Sequence, residues 1–298
     1  MVQRAVLFIP NSRMTAIENF RDGRKMEYVL ENDILRIVLL PSFGGKIISF
    51  YHKKKDFELA AQKDFETKDI AGVNKPRFGD YAYGMDDAFP NIDSEELVWN
   101  GKKLVYLDHG EIWDSKFDVV AYEPENSIIT IRLDAGNSSL GYQYVYQKTI
   151  ILVGDTLRTD YHIVNTGEET FPCLWTFHGL VRYEEDMEIM HPNAEDGIIT
   201  TFEGKDMVKY YIDGTVKEGY SGIFYPSQNI TYSLKYDKNK LPYFGVWITR
   251  GGLEGSFNCA LEPSSGFYDS VSKAMKNNAV NILKPKEKLC LDLEIRLS

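Results

Sequence analysis

Residues 142–180 read YQYVYQKTIILVGDTLRTDYHIVNTGEETFPCLWTFHGL, and this stretch decides the fold class. β-Branched and aromatic residues fill three runs, 142–152, 156–164 and 170–178, and turn-forming residues part them at Val153 to Asp155 and at Asn165-Thr166-Gly167. Apolar runs of this length bounded by Gly, Asn and Asp read as strands joined by turns. The pattern extends outward in both directions, to residues 34–40, 46–51 and 128–133 before it and 243–249 and 289–297 after it. Only residues 270–277 read as a short helix, and they lack a full amphipathic repeat. The chain is therefore expected to be all-β with few short helices.

No Gly/Ser-rich or Pro-rich linker, block of like charges or fixed-period repeat divides the 298 residues, so a single domain over 1–298 is the expectation. A β domain of this size must hide its sheet faces, either by packing two antiparallel sheets together or by closing a barrel. Periodicity does not choose between them. A net charge of −10 repels phosphate backbones, which argues against a nucleic-acid partner. The basic run Lys53-Lys54-Lys55 reads as a solvated hairpin turn. The same charge favours a neutral small molecule over an anionic one, unless Lys46, Arg77 or Arg250 builds a local positive pocket. No run of about 18 apolar residues is present to span a bilayer, and the first residues lack a signal-peptide pattern, so a soluble cytoplasmic protein without a membrane partner is expected. The three cysteines, Cys173, Cys259 and Cys290, stand singly without CxxC spacing and are expected to be buried free thiols.

Three ionisable residues sit at the ends of strand-like runs: His109 in YLDHGEIW, His178 in FPCLWTFHGL and Glu262 in NCALEPSSG. Strand alternation over 257–262 puts Asn258, Ala260 and Glu262 on one face and Phe257, Cys259 and Leu261 on the other. Pro263 donates no ladder hydrogen bond and holds Glu262 extended, presenting its carboxylate where the strand gives way to a loop. A surface glutamate at a strand end is the plainer alternative. Over 173–178, alternation sets Leu174, Thr176 and His178 against Cys173, Trp175 and Phe177. A lone histidine there is more often a core residue satisfied by one hydrogen bond than a catalyst. Asp108 and Gly110 beside His109 mark a strand turning into a loop.

Taken in order, these strings resemble the galactose mutarotase-like (aldose 1-epimerase) superfamily. Residues 31–60, ENDILRIVLLPSFGGKIISFYHKKKDFELA, are similar to its opening hairpin, GMDDAFPNI at 84–92 to a Phe-Pro loop of its phosphosugar branch, and residues 156–180 to the stretch leading into its acid histidine. The resemblance spans roughly residues 31–298. It implies a large antiparallel β-sandwich and an isomerase that opens and recloses a sugar ring with no metal or other cofactor. It also implies roles: Glu262 takes the C1 hydroxyl proton, His178 protonates the ring oxygen, and His109 hydrogen-bonds the ring oxygen or a neighbouring hydroxyl. A histidine and a partly buried carboxylate suit a reaction in which each group acts both as acid and as base.

The chain departs from the galactose enzymes of the family, which carry an arginine in the loop before the first histidine; Lys46, Arg77 and the pair Asp86-Asp87 are offered instead. These four, with Trp113 and Trp175 as aromatic walls for a sugar face, are the candidate substrate-binding residues. Turn capping is the alternative for the two acids and core filling for Trp175 and Trp247. The expected partner is a small sugar, and the expected assembly a monomer or homodimer. A hexose-6-phosphate 1-epimerase, a non-catalytic sugar-binding protein and a glycoside hydrolase or lyase stand as alternatives. A hydrolase would need two carboxylates flanking the bond, such as Glu262 with Asp87 or Glu111. A metal reading of His109-Gly110-Glu111 lacks a second nearby histidine in the sequence pattern.

Overall fold

A computed structural model describes residues 27–62, 82–136, 138–193, 206–253, 255–267 and 269–298. Two large antiparallel sheets dominate them. The first runs β1 (Tyr28–Glu31), β2 (Leu35–Leu40), β3 (Lys46–His52), β5 (Met85–Ala88), β13 (Thr176–Arg182), β19 (Ser256–Ser264), β18 (Tyr243–Leu253) and β15 (Met207–Tyr211), with β4 (Phe57–Glu58) paired beside β3. The second runs β14 (Glu188–Met190), β16 (Tyr220–Tyr225), β17 (Ile230–Tyr236), β21 (Lys288–Leu297), β11 (Thr156–Asn165), β10 (Tyr144–Val153), β9 (Ile128–Ala135) and β8 (Asp118–Glu123). Two small ribbons complete the strands, β6 (Glu95–Trp99) with β7 (Lys102–Tyr106) and β12 (Phe171–Cys173) with β20 (Asn281–Leu283).

Period-two burial explains the long strands. Tyr144, Tyr146, Lys148, Ile150 and Leu152 are buried along β10, and Leu157, Thr159, Tyr161, Ile163 and Asn165 along β11. Their register runs from Val153↔Thr156 to Tyr144↔Asn165, so both inward rows face the same core. Rings from the two sheets meet in that core: Phe57 lies 5.1 Å from Tyr225, centroid to centroid, and both belong to one buried apolar cluster. Such ring pairs contribute about 0.5–1.5 kcal/mol beyond the area they bury. The architecture is a large antiparallel β-sandwich.

The expected strands at 34–40, 46–51 and 289–297 match β2, β3 and β21 within about one residue, and residues 53–56 turn between β3 and β4. The helix expected over 270–277 is α1 (Val271–Lys276), with Ser270 and Asn277 as its caps. One strand over 170–178 is corrected to two. The amide of Leu174 bonds to the Pro90 carbonyl and that of Trp175 to Ser265 Oγ, both at 2.8 Å, so the backbone leaves one ribbon at β12 before joining the large sheet at β13. Cys173 and Cys259 are buried free thiols, but Cys290 is exposed, because its β21 position points outward opposite His162. No described helix is long and apolar enough to cross a membrane.

Candidate active site

The outer face of the first sheet carries the candidate residues, and register sets them side by side. Phe177 on β13 and Cys259 and Leu261 on β19 enter the core, so His178 and Glu262 point the other way. The pairs Thr176↔Ser264 and Leu180↔Ala260 bracket His178 and Glu262 symmetrically, which places these two across from each other on neighbouring strands. On the far side of β13, His178 pairs with Asp86; on the far side of β19, Glu262 pairs with Gly245, and Gly245 pairs with Tyr211. One row across five strands thus reads Asp86, His178, Glu262, Gly245, Tyr211.

The three ionisable members are enclosed: Asp86 is 4%, His178 7% and Glu262 5% exposed. Gly245 leaves room for the carboxylate, since a Cβ there would stand 2.9 Å from Glu262 Oε2. Burial pushes the Glu262 carboxyl up, against the pull of His178 and Lys209. Burial alone would push the His178 imidazole down; the hydrogen bond and charge of Asp86, joined by the charge of Glu262, leave it above its ordinary value. His178 Nδ1 lies 2.8 Å from Asp86 Oδ1, and Lys46 Nζ lies 2.7 Å from Asp86 Oδ2.

His109 arrives from a loop rather than a strand. Its ring centroid is 4.9 Å from that of His178 and 5.7 Å from that of Trp113, and its Nδ1 is 3.2 Å from Asp108 Oδ2. Burial pushes the His109 imidazole down, against Asp108. The loop is pinned by His109 N donating to Ile92 O at 2.5 Å and Glu111 N donating to Phe89 O at 2.8 Å. Gly110 is required there: with φ at +77°, a Cβ would lie 2.1 Å from the Phe89 carbonyl oxygen. His109 itself holds φ at +58°, a left-handed conformation that costs a non-glycine residue about 1–3 kcal/mol. A cleft of about 850 Å³ lies against this loop, lined by Asp108, Glu111, Trp113 and Tyr144 among others and by neither His178 nor Glu262. Size alone therefore does not single out the site; the convergence of buried ionisable groups does.

Solved structures share this architecture. A galactose mutarotase related enzyme from Lactobacillus acidophilus superposes with a TM-score of 0.70 at 17% identity, covering 92% of this chain and 97% of its own. A galactose mutarotase-like protein from Clostridium acetobutylicum gives 0.73 at 14% identity, covering 97% and 99%. An aldose epimerase homologue from C. elegans gives 0.68 at 13%, covering 92% and 99%. The chain has the galactose mutarotase-like fold. No protein-family model matches the sequence, and no curated protein is similar enough to match it.

Within that fold the residues singled out by sequence divide into three groups. His178, Glu262, His109, Asp86 and the half-buried Trp113 come together on the outer face or on the loop against it. Trp175 and Asp87 belong to the core, a correction to their expected place against a sugar. Trp175 is 0% exposed, donates from Nε1 to Tyr146 Oη at 2.6 Å and meets the Tyr161 ring edge-on. Asp87 is one residue on from Asp86 in β5 and so faces inward, where Lys148 Nζ at 2.5 Å, Tyr161 Oη at 3.1 Å and Tyr146 Oη at 3.2 Å surround it. Lys46 is likewise corrected: 0% exposed, it bonds Asp86 and the Tyr83 carbonyl instead of reaching a ligand. Arg77 lies outside the described residues. Tyr211 and Lys209 share the outer face and were not singled out by sequence; Trp247, only half-buried, is there too, with Nε1 donating to Asn258 Oδ1 at 3.0 Å. Lys209 Nζ is 2.7 Å from Asp269 Oδ2 and, despite burial, that pair raises its pKa. No local pattern marks these positions, because only long-range register brings β15 and β18 beside Glu262.

Proposed function

We propose that the chain is an aldose 1-epimerase, interconverting the α and β anomers of a hexose. The observation that carries the reading is the placement of His178 and Glu262 opposite each other on adjacent strands, with the His109 ring against His178. Glu262, ionised, takes the proton of the C1 hydroxyl. The C1–O bond to the ring oxygen breaks as His178, protonated, gives its proton to that oxygen, leaving an open aldehyde. Half a turn about C1–C2 presents the other face; as the ring recloses, neutral His178 takes back the proton of the attacking hydroxyl and protonated Glu262 gives its proton to the aldehyde oxygen. Burial that raises Glu262 makes it a stronger base, and the Asp86 and Glu262 carboxylates favour the protonated form of His178.

A hydrolase would want a second carboxylate free to act beside Glu262. Asp87 is spent on Lys148 and two tyrosines, and Glu111 accepts hydrogen bonds from Ser139 Oγ at 2.6 Å, Ser138 Oγ at 3.0 Å and Tyr144 Oη at 3.2 Å. Proton NMR of freshly dissolved α-glucose, α-galactose and α-glucose 6-phosphate tests the proposal. Faster approach to anomeric equilibrium than the spontaneous rate with any of them supports it, and no acceleration across a wide panel of aldoses counts against it.

A further inference from the structure

We propose that Asp86, held by Lys46, is a positioning residue that fixes which nitrogen of His178 faces the sugar. The inference deepens the epimerase reading and rests on His178 being its acid. The geometry is directional. Asp86 Oδ1 takes the Nδ1 side of the imidazole at 2.8 Å, so Nδ1 carries a proton in both the neutral and the charged ring, and the proton that the ring gains or loses is the one on Nε2. Asp86 Oδ2 is occupied by Lys46 Nζ at 2.7 Å, so the carboxylate cannot swing away to offer another arrangement.

Lys46 is itself fixed. Its ammonium donates to the Tyr83 carbonyl at 3.0 Å and stands 4.6 Å from the Tyr83 ring centroid and 5.7 Å from that of Phe43. Three strands carry the chain of contacts: Lys46 opens β3, Asp86 lies in β5 and His178 in β13, all adjacent in one sheet. Burial alone would drive the Asp86 carboxyl up, yet Lys46 and then His178 hold it at about 2, so an anion faces the imidazole across the whole working range of pH. Other charged groups face His178 as well: Glu262 from β19 on the opposite side, and His109 from the loop, itself paired with Asp108; Lys209 of β15 acts on Glu262. Of these, only Asp86 bonds the ring nitrogen directed away from Glu262's strand. A carboxylate that orients an imidazole this way sets its tautomer and stabilises its charged form without itself taking the proton.

Two measurements test this. Long-range nitrogen-15 correlation spectra of the wild-type protein, with His178 assigned by its disappearance in His178→Gln, should show the neutral ring protonated at Nδ1; a ring protonated at Nε2 overturns the proposal whatever the activity is. The second compares the pH profile of wild type with Asp86→Asn, an isosteric change that removes the anion. Loss of kcat by about 10²–10⁴-fold is expected, with KM changed less than about threefold and the alkaline limb of the profile moved to lower pH. Lys46→Met removes a positive charge that opposes protonation of His178, so it should move that limb to higher pH. An Asp86→Asn protein with wild-type kcat and an unmoved limb refutes the role, and an unmoved limb in Lys46→Met removes Lys46 from it. Failure of the wild-type protein to accelerate anomer exchange would count against the epimerase reading instead, while the tautomer measurement would still decide the Asp86 assignment.

Discussion

Gly245→Ala separates the position of the Glu262 carboxylate from the stability of the sheet. The methyl group would lie 2.9 Å from Glu262 Oε2, whereas ordinary contact begins at 3.4 Å, so the carboxylate must retreat by at least 0.5 Å or rotate. Tyr211, 3.1 Å away on its other side, limits the escape of the new methyl. Gly245 does not occupy the left-handed region, so alanine fits its backbone, and replacing glycine in such a setting stabilises a protein by about 0.4–1 kcal/mol through the unfolded chain. Crowding against Tyr211 offsets part of that gain. Stability should therefore stay within about 1 kcal/mol of wild type. Catalysis is less forgiving: displacements approaching 1 Å at a reacting group are associated with losses of about 10²-fold, so a fall in kcat of about 10- to 100-fold is expected. Urea unfolding and anomer-exchange rates on the same preparations provide the two readouts. Wild-type kcat in Gly245→Ala, with the fold intact, would refute the reasoning that the row geometry places the base. A loss of activity matched by several kcal/mol of lost stability would refute it as well.

Two further outcomes follow from the charges. The active form needs Glu262 ionised and His178 protonated, so kcat/KM should fall below the Glu262 pKa and above the His178 pKa; both are raised, so the acid limb should lie above the ordinary carboxylate value of about 4.3 and the alkaline limb above about 6.5. A profile flat from pH 4 to 8 would contradict this pairing. Lys148→Met strands the buried Asp87 carboxylate between the sheets and should cost about 3–5 kcal/mol in urea unfolding, a penalty that a surface ion pair would not show.

The sequence carried the fold further than it carried the site, and the reason is physical. Period-two burial is a local signal, which is why β10, β11 and β21 and the hairpin turn after Val153 were legible from residue types alone. Over residues 257–262 it also assigned faces correctly, placing Glu262 with Ala260 and away from Leu261. Over 173–178 it holds for Cys173, Trp175 and Phe177, which enter the core, but not for Leu174, which is buried there too where the backbone bonds to Pro90 and Ser265 between the two strands. Asp86 and Asp87 show the other limit. Alternation separates two neighbouring acids onto opposite faces, but only the pairing with β13 reveals that Asp86 meets His178 while Asp87 enters the core. Gly245, Lys209 and Tyr211 reach the site through β15 and β18, so their relation to Glu262 is a matter of register between distant segments. His109 was legible as a loop position, and its left-handed backbone accords with Gly110 beside it.

The most direct test of the central claim is anomer exchange by proton NMR with wild-type protein and Glu262→Gln on the preferred aldose. The account predicts acceleration by the wild type and a rate at the spontaneous background for the variant, with sugar binding retained because the amide keeps the shape and loses the base. A Glu262→Gln protein that turns over at the wild-type rate would contradict it.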